Sequence, residues 1–137
     1  RLADALPHEL AYGVSASRGG SLFLVGGGNA TAHSDGVLEL TWAEGSLGVR
    51  ERARLPAPTA FSQGALVGDA LYVAGGLPSP AAAAPAKALW RLDLSAPGAP
   101  WEVLEPPPGP PRMLAAAGAL GDAFYLVGGT ALNPEAP

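Results

Sequence analysis

The residues able to do chemistry are few, and they lie at the starts of short apolar runs. His8 and Glu9 stand side by side ahead of the run "LAYGVSAS" at 10–17. An imidazole beside a carboxylate can give and take a proton at a bound hydroxyl, as general acid–base chemistry requires. On an exposed loop the same pair is ordinarily just solvated. Arg112, in "PPRML", carries a planar fork that pairs bidentately with a carboxylate; its competing role is an ion pair with an acidic neighbour. Tyr12 offers a hydroxyl, though Phe61 and Leu114 hold the matching places in later runs, which favours plain packing. Gln63 interrupts a small-residue run with a donor and an acceptor. The loop "GGNATAHSDG" at 27–36 gathers Asn29, His33, Ser34 and Asp35, a mixture that holds sugar hydroxyls and equally forms ordinary turns. His8 and Glu9 are therefore the candidate acid and base, and Arg112, Tyr12, Gln63 and His33 the candidate substrate contacts.

Other chemistries fail on inventory. With no cysteine, disulfides, thiolate nucleophiles and thiolate metal sites are excluded. Two histidines without further ligand spacing predict no metal and no cofactor. "GGGNATAH" at 26–33 lacks the Lys-Ser/Thr of a phosphate loop. "NAT" at 29–31 fits a glycosylation acceptor, which matters only in a eukaryotic secreted setting. A net charge of −4 offers phosphate backbones little counterion release, so no nucleic-acid partner is expected. No apolar run approaches the ~20 residues that span a bilayer, so no membrane partner is expected either.

These residues must be positioned by short strands. The 137 residues are 48% hydrophobic and only 15% charged, which argues against disorder despite 19 glycines and 15 prolines. Gly and Pro instead punctuate a repeat. "SLFLVGG" (21–27), "ALYVAGG" (70–76) and "AFYLVGG" (123–129) place the second glycine of each pair at Gly27, Gly76 and Gly129, spaced 49 and 53 residues apart. Gly68-Asp69-Ala70 recurs as Gly121-Asp122-Ala123, and Leu6-Pro7 as Leu55-Pro56. Each repeat reads as four strands: a small-residue inner strand, the run ending in the Gly pair, then "GVLELTW" (36–42) or "ALWRLDL" (88–94), then "LGVRERARL" (47–55) or "PWEVLEP" (100–106). Proline-rich crossings lead into the next unit, and "PSPAAAAPAKA" at 78–88 reads as a flexible loop. Trp42, Trp90 and Trp101 fall near strand ends, where packing between units explains them.

A period of about fifty residues is that of a kelch-type β-propeller. The expected fold is all-β, about two and a half four-stranded blades: 6–54, 55–107, and 108–137 as the first half of a third. Since closure takes four to eight blades, the missing blades of the same propeller become an expected partner, and the segment alone is expected to be marginal or to associate.

The motifs narrow this further. Residues 6–40, with "AYGVS", resemble the final blade of the bacterial N-acetylneuraminate mutarotases (sialic acid epimerases), where a similar "RAYGVS" strand precedes an "IGGE" turn. Residues 90–129, with "GPPR" and "AFYLVGG", resemble that family's opening blade. A last-blade pattern running into first-blade patterns resembles the circularly permuted branch of the family, and implies a six-bladed parent. The resemblance implies interconversion of the anomers of a sialic acid or related sugar acid at the channel mouth, and a periplasmic address. Ring opening needs one group to protonate the ring oxygen and another to take the anomeric proton, with an Arg on the carboxylate. The family's Glu and Arg lie on a loop G-E-x-x-x-G-x-R, which nothing in these 137 residues matches, so the piece alone is expected to be inactive. The competing expectation is a non-catalytic kelch module that binds protein or glycan.

Overall fold

A computed structural model describes residues 6–7 and 9–132. Among them there are ten strands and no helix: β1 (Val14–Arg18), β2 (Ser21–Val25), β3 (Val37–Ala43), β4 (Ser46–Glu51), β5 (Gln63–Val67), β6 (Ala70–Ala74), β7 (Leu89–Asp93), β8 (Glu102–Val103), β9 (Met113–Leu120) and β10 (Ala123–Thr130). They form two four-stranded antiparallel meanders, β1-β2-β3-β4 and β5-β6-β7-β8, and a β9-β10 hairpin. This is an all-β propeller fragment, with blades following one another along the chain.

Local sequence explains each turn. Gly19 and Gly20 close β1 onto β2, Gly68 closes β5 onto β6, and Gly121 closes β9 onto β10; all four have positive φ, which a glycine adopts without the steric cost of a Cβ. The 78–88 segment forms no strand or helix; a turn bond from the Ala82 amide to the Ser79 carbonyl (3.1 Å) shapes it.

Period-2 alternation sends one face of each blade onto the next. Phe23 and Val25 of β2 meet Leu71 and Val73 of β6 in a buried cluster that also takes Trp90, Leu92, Leu55 and Trp101. The indole of Trp101 donates to the Ala53 carbonyl at 2.9 Å, pinning the last strand of the second blade to the preceding crossing. Trp42, by contrast, is exposed near the end of β3, so packing between the described blades accounts for Trp90 and Trp101 but not for Trp42. On the far side, Tyr72 of β6 stacks on Phe124 of β10 at 5.5 Å.

The Gly pairs act between blades. The Gly27 amide donates to the Thr59 carbonyl (2.8 Å), and the Gly76 amide to the Arg112 carbonyl (3.0 Å). A Cβ on the preceding glycine, Gly26 or Gly75, would run into that same carbonyl oxygen. Each of these two pairs thus hands one amide to the neighbouring blade and clears the space for its approach. Beneath this contact, Thr59 and Ser62 are buried polar residues that satisfy one another through Oγ1 and Oγ at 2.6 Å.

Candidate functional site

Tyr12 and Phe61, two residues ahead of β1 and β5, and Leu114, the second residue of β9, share an unusual backbone. Tyr12, Phe61 and Leu114 have φ of 60°, 60° and 56°, left-handed values that cost an L-residue roughly 1–2 kcal/mol. They occupy the same place in three successive blades. A main-chain ladder joins them: the Phe61 amide donates to the Tyr12 carbonyl (2.9 Å), and the Leu114 amide to the Phe61 carbonyl (3.0 Å).

The ladder brings side chains together at the mouth of the blade array. The rings of Tyr12 and Phe61 stack at 4.6 Å. His33 presents its edge to Phe61 at 5.9 Å, and its Nδ1 lies 2.7 Å from the Leu77 carbonyl. That carbonyl can only accept, so Nδ1 carries a proton, and Nε2 is an acceptor whenever the ring is neutral. His33 is held there by the Gly28 backbone, which bridges to both Ala11 and His33. A Cβ at Gly28 would collide with the His33 ring. Together with Ala11, Gly28, Asn29 and Leu77, the side chains of Tyr12, His33 and Phe61 line a cavity of about 410 Å³. A larger hollow of about 540 Å³ opens at the other end of β1, beside Arg18, Leu22 and Trp42. It is a groove over hairpin turns that also takes Ser17, Ser21 and Thr41, and its Arg18 is engaged by Asp69 at 2.6 Å.

The other candidates lie elsewhere. Arg112 does not line the mouth cavity. Its Nη1 donates to the Gly128 carbonyl at 3.1 Å, and the side chain lies in a crevice with Pro107, Pro111 and Leu126. Gln63 is half-buried at the start of β5, opposite Ala74. Glu9 is exposed on the crossing, and His8 lies outside the described residues. In the 27–36 loop the turn-forming reading accounts for several side chains. Asn29 Oδ1 accepts from the Thr31 amide, the Thr31 hydroxyl and the Ala32 amide, Ser34 Oγ accepts from the Gly36 amide, and Asp35 pairs with Arg54 at 2.8 Å. Tyr12 and His33 are thus the two predicted contacts that the fold unites, and Phe61 and Leu77 are the partners that sequence reasoning missed. Repeat alignment carried the signal for Phe61, since it is the second aromatic at one repeat position.

No family model matches the chain, and no curated protein is significantly similar to it. Among solved structures it is similar to a fungal alcohol oxidase of the AA5 family in complex with copper. The TM-score is 0.69 at 21% identity, over 80% of this chain and 25% of that one. At such identity the likeness is one of fold, and this chain spans about a quarter of that protein's length.

Proposed function

We propose that the mouth cavity binds a sugar acid of the N-acetylneuraminate type, and that the complete propeller uses it to interconvert the anomers. The observation that carries this reading is the stack of Tyr12 on Phe61 beside His33, around a cavity of about 410 Å³. That volume lies in the range of small-molecule sites. An aromatic pair offers the apolar face of a sugar ring a platform, and His33 Nε2 offers a hydroxyl an acceptor. The resemblance of 6–40 and 90–129 to the sialic acid mutarotases supports the choice of sugar. Glu9, on the crossing that leads to Tyr12, is the carboxylate proposed for proton exchange, with His8 beside it. Proton transfer to the ring oxygen and from the anomeric hydroxyl then opens and recloses the hemiacetal.

A second reading, a non-catalytic kelch module binding glycan, is favoured by one feature: the cavity is lined by no carboxylate and no Arg. The copper of the fungal oxidase is not carried over. The chain has no cysteine, and among the described residues no three His, Cys, Asp or Glu side chains gather.

The test is α-to-β exchange of N-acetylneuraminate followed by NMR on the full-length protein, with saturation transfer to the sugar recorded in parallel. Faster exchange supports the mutarotase reading. Saturation transfer at the buffer exchange rate leaves the binding module, and neither signal overturns both.

A further inference from the structure

The mouth cavity is apolar over most of its wall, which includes Ala11, Ala30, Ala60, Leu77 and Pro80. Pro80 belongs to the 78–88 segment, so that loop supplies part of the wall. Of the side chains lining the cavity, only those of Tyr12, Asn29 and His33 carry a polar atom.

Asn29 and His33 stand at the two ends of one tight turn, in which the Asn29 amide donates to the Ala32 carbonyl at 2.9 Å and Gly28 bridges to His33. Each side chain spends one polar atom on the fold. Oδ1 of Asn29 accepts from the Thr31 amide at 2.9 Å, the Thr31 hydroxyl at 2.8 Å and the Ala32 amide at 3.0 Å. Backbone amides only donate, so this atom is the oxygen, and Nδ2 is left over with two hydrogens to give. Nδ1 of His33 is taken by the Leu77 carbonyl at 2.7 Å, which leaves Nε2 as an acceptor whenever the ring is neutral. Among the described residues neither leftover nitrogen has a protein partner. His33 is half-buried, and no buried side-chain nitrogen there lacks a partner, so Nε2 is accessible.

One donor, one acceptor and small alkyl walls complement a secondary amide that ends in a methyl group. Its carbonyl accepts from Nδ2, its N–H gives to Nε2, and its methyl goes against the alanines, Leu77 and Pro80. A hydroxyl fills one of the two polar places and brings no apolar end. A carboxylate has no hydrogen for Nε2 and finds no Lys or Arg on this wall. We infer that the cavity is an acylamino subsite, selecting ligands for an acetamido group that Asn29 and His33 read together. The inference rests on the cavity being the ligand site proposed above, and not on which sugar carries the group. The stack of Tyr12 on Phe61 then takes the ring that bears it.

The experiment is NMR titration of the full-length protein with two pairs of probes, each differing only at this group. N-acetylneuraminate is set against the sugar acid with a hydroxyl in place of its acetamido group, and N-acetylglucosamine against glucose. The acetamido member of a pair is expected to bind about tenfold tighter, the net worth of two hydrogen bonds and a buried methyl. Asn29→Asp keeps the oxygen the loop uses and exchanges the donor nitrogen for an acceptor. It is expected to abolish the preference within the neutral pair, whose binding its charge does not oppose. If that variant does not fold, the wild-type comparison decides alone. Equal binding within the pairs, or a preference unmoved by Asn29→Asp, would overturn the subsite while leaving the sugar-acid reading in place. N-acetylglucosamine preferred over glucose, with neither sugar acid bound, would support the subsite and overturn the sugar-acid reading. No binding of any of the four would overturn both.

Discussion

The amide of Phe61 donates to the carbonyl of Tyr12 across 2.9 Å while their rings stack at 4.6 Å, so one residue pair binds two blades through both main chain and side chain. Neither backbone would choose its φ of 60° alone. The ladder and the stack hold it there, and the strain sits at the mouth.

Leu114 tests that strain most simply, because it takes the same backbone at φ 56° with its side chain exposed. Leu114→Gly removes the left-handed penalty while sacrificing little packing. It is expected to stabilise the chain by about 0.5–1 kcal/mol. Phe61→Gly relieves the same strain but deletes the stack, and is expected to destabilise. Thermal unfolding of the two variants gives shifts of opposite sign.

Gly75 and Gly128 are the same residue of the repeat in different surroundings. A Cβ on Gly75 collides with the Arg112 carbonyl, and one on Gly128 meets open space. Gly75→Ala is therefore expected to cost about 3 kcal/mol or more, since backbone must move. Gly128→Ala pays only the positive-φ penalty of about 1 kcal/mol. Urea denaturation of the two variants measures the difference; equal losses would mean that the Gly pair is not an interblade device.

For the proposed ligand, Tyr12→Ala is expected to weaken N-acetylneuraminate binding about 2- to 10-fold, the worth of one aromatic contact. Tyr12→Phe is expected to stay within about twofold, because the ring is kept. Arg112→Ala is expected to change affinity little, since its guanidinium is engaged by the Gly128 carbonyl away from the cavity. Titration by NMR reads all three. A large loss with Arg112→Ala would move the carboxylate site onto the third blade.

Asp93 gives a pH dependence. Its carboxylate accepts from the Ser95 hydroxyl at 2.6 Å and the Ser95 amide at 2.9 Å. These bonds to Ser95, with Arg91 nearby, hold it below the ordinary carboxylate value. The charged form is the one the fold favours. Its contribution is complete above the ordinary carboxylate range and is lost as pH falls through the depressed folded value. A carbon-detected NMR titration is expected to show a low midpoint for Asp93, and Ser95→Ala to bring it back up.

Much of the scaffold was legible because its signals are local and repeated. "SLFLVGG", "ALYVAGG" and "AFYLVGG" each announce a strand and its Gly pair, and the hairpin glycines sit where positive φ is needed. The site was less legible. A left-handed backbone at Tyr, Phe and Leu leaves no mark in residue type; repeat alignment sets Phe61 level with Tyr12 but does not tell that the two rings stack. The direction of the Arg112 side chain depends on a carbonyl sixteen residues away, beyond the reach of spacing arguments. Trp42 matches the strand pattern of a packed residue, but alternation tells which face a side chain takes and not what covers that face.

The ladder through Tyr12, Phe61 and Leu114 consists only of amides and carbonyls, so its hydrogen bonds name no particular side chain. Mutational drift can exchange the groups at the mouth while the spacing between blades is inherited unchanged. The mouth chemistry and the scaffold are thus separable for selection, and one array can be retuned to a new ligand without being refolded.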